Sequence, residues 1–279
     1  MTPALPVCCN PEAFRLLARQ LSALNSSDAL LVGLVAIARH QCRSADPVAV
    51  DGQIQEHANK VRSRVRSTAQ RQALLAHLHD YLFDELGFAG NRDDYYNPVN
   101  SYLPSVLETR KGLPITLSAV YKLVAERLGL RVQGVGLPGH FVVSAQAEGE
   151  PILVDAFAGG RVLSADEAHD KVREIHGPDA PWSEDLVRPV SNRHWLTRTL
   201  QNLLNVFGAR GQYTDVAAVL EMEMLLWPDQ SQLQRDLGLV LARCGMAGPA
   251  SHWLATYLQN NPDDPQRDDL EQLRSVLTA

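Results

Sequence analysis

The sequence predicts an α+β protein: a helical N-terminal block and one further helix packed on a small antiparallel sheet, followed by an all-α region. Three observations predict it. Apolar residues recur at helical spacing up to about Leu128. The period then shortens to that of strands between Arg131 and Phe157. Beyond about residue 195 the chain is helical again and repeats on itself at an interval of 34 residues.

The elements follow in order. Residues 11–44 read as two helices. Leu16, Leu17, Leu21 and Leu24, then Leu30, Leu31, Leu34 and Ile37, keep helical spacing, and Asn25-Ser26-Ser27-Asp28 breaks and caps them. Residues 51–87 give two more helices, the second from about Arg71 to Leu86 with Leu74, Leu75, Leu78 and Leu82 on its stripe. Residues 87–102 are dense in Gly, Asn, Asp and Pro and form a loop, either a connector or the rim of a site. From Ile115 to Leu128 the stripe Leu117, Val120, Tyr121, Val124, Leu128 marks a helix. Pro114 fits its first turn, where a missing N–H costs nothing, and Gly129 stops it. Arg131–Gly136, His140–Gln146 and Pro151–Phe157 read as short strands separated by Leu137-Pro138-Gly139 and Glu148-Gly149-Glu150. Residues 177–194 read as a linker or an irregular crossing segment.

In the C-terminal region Leu203, Gly211, Leu220, Met224, Pro228 and Asp229 recur as Leu237, Gly245, Leu254, Leu258, Pro262 and Asp263. A period of 34 with Pro closing the second helix matches the tetratricopeptide repeat, with copies at about 197–230 and 231–264. The second copy has Gly238 and Ala250 at the small positions, where the first has Leu204 and Val216. Two copies are few for a free-standing solenoid, so they are expected to lean on the preceding domain. The expected boundaries are 1–190 for the first domain, with a core at about 71–165, and 191–279 for the helical one.

Composition narrows the function classes. The chain has 26 basic and 32 acidic residues, a net charge of −6, which disfavours general nucleic-acid binding or an anionic membrane surface. The longest nearly apolar stretch, Ala29 to Ala38, is half the roughly 20 residues of a spanning helix. The N-terminal MTPALPVCCN lacks the basic and apolar regions of a secretory signal. Cys8, Cys9, Cys42 and Cys244 have neither zinc-site nor disulfide-framework spacing, so a cytoplasmic protein with reduced thiols is expected. His77 and His79 point to different sides of a helix and predict no metal site. There is no Walker loop or dinucleotide fingerprint, and no cofactor is expected. The repeat region, 197–279, has 6 Arg, no Lys and 10 acidic residues, which gives it a mild preference for a basic peptide segment.

The chemistry-bearing stretch runs from Asn97 to Gly160. Its order is helix, strand with His140, strand with Asp155, which is the order of the transglutaminase and papain-like core. That core sets a Cys at a helix N-terminus beside a His, and an Asp orients the His. The chain resembles the SirB-type family, in which a transglutaminase-like domain precedes tetratricopeptide repeats. The residues that carry the resemblance are Gly87-Phe88, Gly90-Asn91, Asp94-Tyr95-Tyr96, Asn100-Ser101-Tyr102-Leu103, Val106-Leu107, Arg110, Gly112, Pro114-Ile115, Gly134 to Phe141, and Asp155 with Phe157, Gly159 and Gly160. The resemblance spans roughly residues 10–165.

One departure decides the functional expectation. The position of the family's Cys falls near Pro114, and no Cys lies between Cys42 and Cys244. The resemblance therefore supplies a His and an Asp without a thiol. Thr116 and Ser118 are the nearest hydroxyls; their plain reading is helix-start packing and capping. The plain reading of His140 and Asp155 is a structural pair, and their functional reading is a pair lining a cleft with Asn100, Ser101, Tyr102 and Pro114. The missing thiol favours a non-catalytic interaction or regulatory protein that binds a protein or peptide through the repeat face, the cleft, or both. The alternative is a hydrolase or acyltransferase of amide bonds, with His140 as base, Asp155 as its orienter and Thr116 or Ser118 as nucleophile.

Overall fold

Polar side chains start the helices of the first block by taking up amides that have no partner within the helix. In a computed structural model, which describes residues 5–67 and 70–278, Asn10 caps α1 (Pro11–Ala18), Ser26 caps α2 (Ser27–Arg39) and Asp46 caps α3 (Pro47–Arg62). The first four residues of the stretch read for a signal, and residues 68–69 within the stretch read as two helices, lie outside the described residues. α4 (Arg71–His79) continues through a π-helical turn at Asp80–Glu85, so the predicted helix to Leu86 is present with a widened last turn. α2 buries Ala29, Leu30, Leu31 and residues 33–38, nearly its whole circumference, as a helix inside a core must.

The loop after Gly87 is tied down by a two-residue parallel pairing of β1 (Ala89–Gly90) with β2 (Lys111–Gly112), on either side of α5 (Leu103–Thr109). α6 (Pro114–Arg127) is the central helix, with residues 114–125 all buried. It packs on α2, α3 and α5 and on the sheet. Lys122 is buried with it and donates to the Val132 carbonyl at 2.7 Å, which joins the helix to the first strand of the sheet.

That sheet is antiparallel, in the order β6-β5-β4-β3-β7. Its strands are β3 (Arg131–Val135), β4 (Val142–Gln146), β5 (Ile152–Asp155), β6 (Arg161–Leu163) and β7 (Pro189–Val190). Three were expected, and two corrections follow. His140 is not on a strand: the turn at Gly139, with φ +67°, holds it two residues before β4. The segment read as a linker or an irregular crossing segment crosses to the sheet edge and adds a strand there, because β7 pairs with β3 at Gly134 and Val135. α7 (Ala165–His176), started by a Ser164–Glu167 capping box, lies between them in sequence.

Five helices complete the chain: α8 (Asn192–Ala209), α9 (Tyr213–Leu226), α10 (Ser231–Arg243), α11 (Ala247–Asn260) and α12 (Arg267–Thr278). With the sheet they make the chain α+β, with twelve α-helices among the described residues. α9 and α11 begin 34 residues apart, and the glycines that precede them, Gly211 and Gly245, share left-handed φ values of +68° and +72°. α8 packs against α2 and α6. Its Trp195 is fully buried, donates from the indole N–H to the Ile115 carbonyl at 3.2 Å, and lies 4.6 Å from the Phe141 ring. Gly134 makes room for that indole, since a Cβ there would sit 2.4 Å from it. The main apolar cluster runs unbroken from Cys9 in the first block to Ala250 in α11.

Candidate functional site

His140 and Asp155 meet at the edge of the sheet. The turn at Gly139 carries the imidazole and the end of β5 carries the carboxylate, and His140 Nε2 lies 2.9 Å from Asp155 Oδ2. Asp155 is 0% exposed and His140 7%. The other carboxylate oxygen accepts from the amides of Phe157 and Ala158 at 3.1 and 3.2 Å, as the cap of the turn that follows. Lys171 of α7 stands 3.6 Å from Oδ2. Burial pushes the Asp155 carboxyl up, but the His140 bond and charge, the Ala158 amide and Lys171 together hold it below its ordinary 3.8. Asp155 is therefore an anion that fixes the orientation of His140. The ring stands edge-on to Phe157 at 6.1 Å, and Arg92 covers the same Phe157 at 5.1 Å.

A small cavity of about 30 Å³ opens beside the imidazole. Pro114, His140 and Gly139 line it together with Tyr95, Arg198 and Asn202. Pro114, at the first turn of α6, thus faces the His where the resemblance places a thiol, and the lining holds no Ser, Thr or Cys. Thr116 and Ser118 are buried deeper in α6, at 1% and 0% exposure, and neither hydroxyl has a hydrogen-bond partner among the described residues. Neither is bonded to His140 among the described residues.

The loop residues expected at the cleft sit elsewhere. Asn100 knots its own loop: its amide donates to the carbonyls of Asp94 and Tyr95 at 2.7 and 3.1 Å and its oxygen accepts from Asn91 at 3.0 Å. Tyr102 is buried and donates to Gln41 at 3.1 Å. The Ser101 hydroxyl is buried without a partner. The same loop instead sends Tyr95 into the cavity.

The cysteines stand apart from this site. Burial, then the charge of Glu221, pushes the Cys8 thiol up to about 12 and raises Cys9 as well; burial also raises Cys42. In all three the shift favours the thiol over the nucleophilic thiolate. Among the described residues no group of three or more His, Cys, Asp or Glu side chains is placed to hold a metal ion, and no helix is long and apolar enough to cross a membrane.

A second feature lies on the helical array. Glu221 of α9, 6% exposed, accepts from the backbone amides of Val7, Cys8 and Cys9, the last at 2.7 Å. His40 accepts from the Asn10 amide at 3.3 Å and bonds Asp215 of α9 at 3.0 Å. An apolar groove of about 620 Å³ adjoins this strapped segment, lined by Leu5, Val7, Met224, Leu225, Leu237 and Trp253.

The transglutaminase-like superfamily model matches residues 49–201, from α3 through the sheet and the His140–Asp155 pair into α8. This chain belongs to the transglutaminase-like superfamily. It is 35% identical over 229 residues to a UPF0162 protein of Xylella fastidiosa strain 9a5c, covering 81% of this chain and 82% of that one. A UPF0162 protein of Vibrio cholerae is 25% identical over 197 residues, 70% of this chain and 73% of its own. F-box only protein 21 of Homo sapiens is 34% identical over 163 residues, 54% of this chain and 25% of that protein. No solved structure matches. Arg198 lies within the span matched by the superfamily model; Glu221 and the groove lie beyond it.

Proposed function

We propose that this superfamily member is a non-catalytic, cytoplasmic protein of the SirB type that binds an extended peptide segment of a partner protein on its helical array. The observation that carries the reading is Glu221. A buried carboxylate taking three successive main-chain amides recognises polypeptide backbone, whatever the side chains. Here it holds the chain's own residues 7–9, and Leu5 and Val7 form one wall of an apolar groove of about 620 Å³. Array and groove are read as tetratricopeptide repeats. The buried Leu203 and Leu237, Leu220 and Leu254, and the left-handed Gly211 and Gly245 support that reading. The ligand is an extended segment with an aliphatic side chain and basic flanks, set by the apolar lining and the acidic array.

Against the competing amide-hydrolase reading stands the lining of the His140 cavity, where Pro114 takes the nucleophile's place. The His140–Asp155 pair is then an inherited structural pair that anchors the turn before β4.

Trp253 lines the groove and reports on it. Titrating the full chain with short aliphatic-basic peptides should change its fluorescence saturably, and Trp253→Phe should abolish the change. Peptides that bind without affecting Trp253, or no binding across a set varied in side chain and charge, would refute the reading.

A further inference from the structure

The cavity beside His140 presents donors and an uncompensated cation, and no free acid. Arg198 reaches it from α8. One terminal nitrogen, Nη2, donates to the carbonyls of Leu137 and His140 at 2.9 and 3.1 Å, and the guanidinium lies 5.4 Å over the Phe141 ring. Nη1 and Nε have no hydrogen-bond partner, and no carboxylate comes within ion-pair distance of Arg198 among the described residues. Burial lowers the guanidinium pKa from its usual 12.5, the direction expected for a cation taken out of water without an anion, yet arginine stays charged in proteins.

The groups around it point the same way. Tyr95 and Asn202 line the cavity and make no side-chain hydrogen bond among the described residues. Burial raises the Tyr95 phenol, so it is an O–H donor at neutral pH. His140 uses only Nε2, and its Nδ1 is unbonded. The neighbouring acid, Asp155, is spent on His140, Lys171 and two amides. Arg92 and Lys171 add positive charge nearby, in a chain whose net charge is −6. The cavity, about 30 Å³, has room for one or two waters and therefore for a carboxylate head. Gly139 on its rim is exposed, so the rest of a ligand lies outside.

We propose that Arg198, Tyr95 and Asn202 form a carboxylate-binding subsite beside His140. Arg198 supplies the charge, its Nη2 hydrogens being spent on two carbonyls, and Tyr95 and Asn202 supply the neutral donors. The subsite is independent of the groove on the array and survives if that groove binds nothing.

The test uses the full chain with isotope-labelled histidine, the His140 ring signal being assigned through His140→Gln. Formate should shift that signal saturably, and formamide, its neutral isostere, should not. Arg198→Gln removes the charge and should weaken formate about tenfold. Because Arg198 also ties two carbonyls, Asn202→Leu serves as a second variant: it breaks no bond of the fold and should weaken formate several-fold. Comparing acetate, acetylglycine and acetylglycine amide distinguishes a free small acid from a chain terminus. No response to formate, an equal response to formamide, an equal response to chloride at matched ionic strength, or unchanged affinity in both variants would overturn the proposal.

Discussion

Replacing Glu221 with Ala should free the N-terminal segment while leaving the fold standing. The side chain accepts from three backbone amides, those of Val7, Cys8 and Cys9. Hydrogen bonds to a charged group contribute about 1.5–3 kcal/mol each, but three bonds to one carboxylate are not additive. The Val7 and Cys8 bonds are only part-buried, so those amides regain water on release; the Cys9 bond is buried and loses most. A local loss of about 3–4 kcal/mol follows, of which about 2 kcal/mol reaches global stability. Amide hydrogen exchange on the native protein reads the local part directly: protection at residues 7–9 should fall by about two to three decades, with α10 and α11 little affected. The Cys8 thiol, which owes part of its elevation to Glu221, should also react faster with alkylating reagents. Unchanged protection at residues 7–9, or a loss spread evenly over the array, would show that the carboxylate does not hold the segment.

Three further outcomes are expected. Asp155 titrates below its ordinary 3.8 in the folded protein, so its contribution is fully present above that pH and is lost as pH falls through the lower folded value; Asp155→Asn should flatten the acid limb of stability against pH below about 4, and an unchanged limb would contradict the pairing. Ser118→Ala and Thr116→Val remove buried hydroxyls that have no partner, so thermal unfolding should show stability unchanged or raised by up to about 1 kcal/mol, whereas a loss above about 2 kcal/mol would mean a missed bond. Gly134→Ala drives a Cβ to 2.4 Å from the Trp195 ring and should cost about 1–3 kcal/mol in denaturant unfolding, whereas Gly52→Ala, at an open position inside α3, should stabilise by up to about 1 kcal/mol.

Much of this architecture was legible because local signals agreed with the final packing. The helices of the first block followed from leucine spacing, and Pro114 and Gly129 bracketed α6 closely. The 34-residue recurrence placed a helical region there, within which α9 and α11 begin 34 residues apart. α7 carried a readable start in Ser164-Ala165-Asp166-Glu167, a capping-box pattern, but its single narrow apolar stripe left it unassigned. β6 and β7 are three and two residues long, too short for any period to show. The His140–Asp155 pair was readable because both residues come from adjacent hairpin elements. Tyr95 lies in a loop whose path is set by the Asn100 knot. Arg198 and Asn202 reach the cavity from a helix that is local to neither strand. Only the docking of α8, fixed by Trp195 against Ile115 and Phe141, brings them there. The Glu221 strap joins residues over 200 apart in sequence, and its one signal was a glutamate among apolar neighbours on α9.

The measurement that bears most directly on the non-catalytic reading is amide turnover by the wild-type chain against His140→Ala. Ammonia release from glutamine peptides and cleavage of unstructured peptides would be followed at neutral pH, with both proteins shown folded. With Pro114 opposite His140 and no bonded hydroxyl or thiol in the cavity, the two proteins should be indistinguishable from buffer. Turnover by the wild type that His140→Ala abolishes would contradict the account and make the pair a catalytic one.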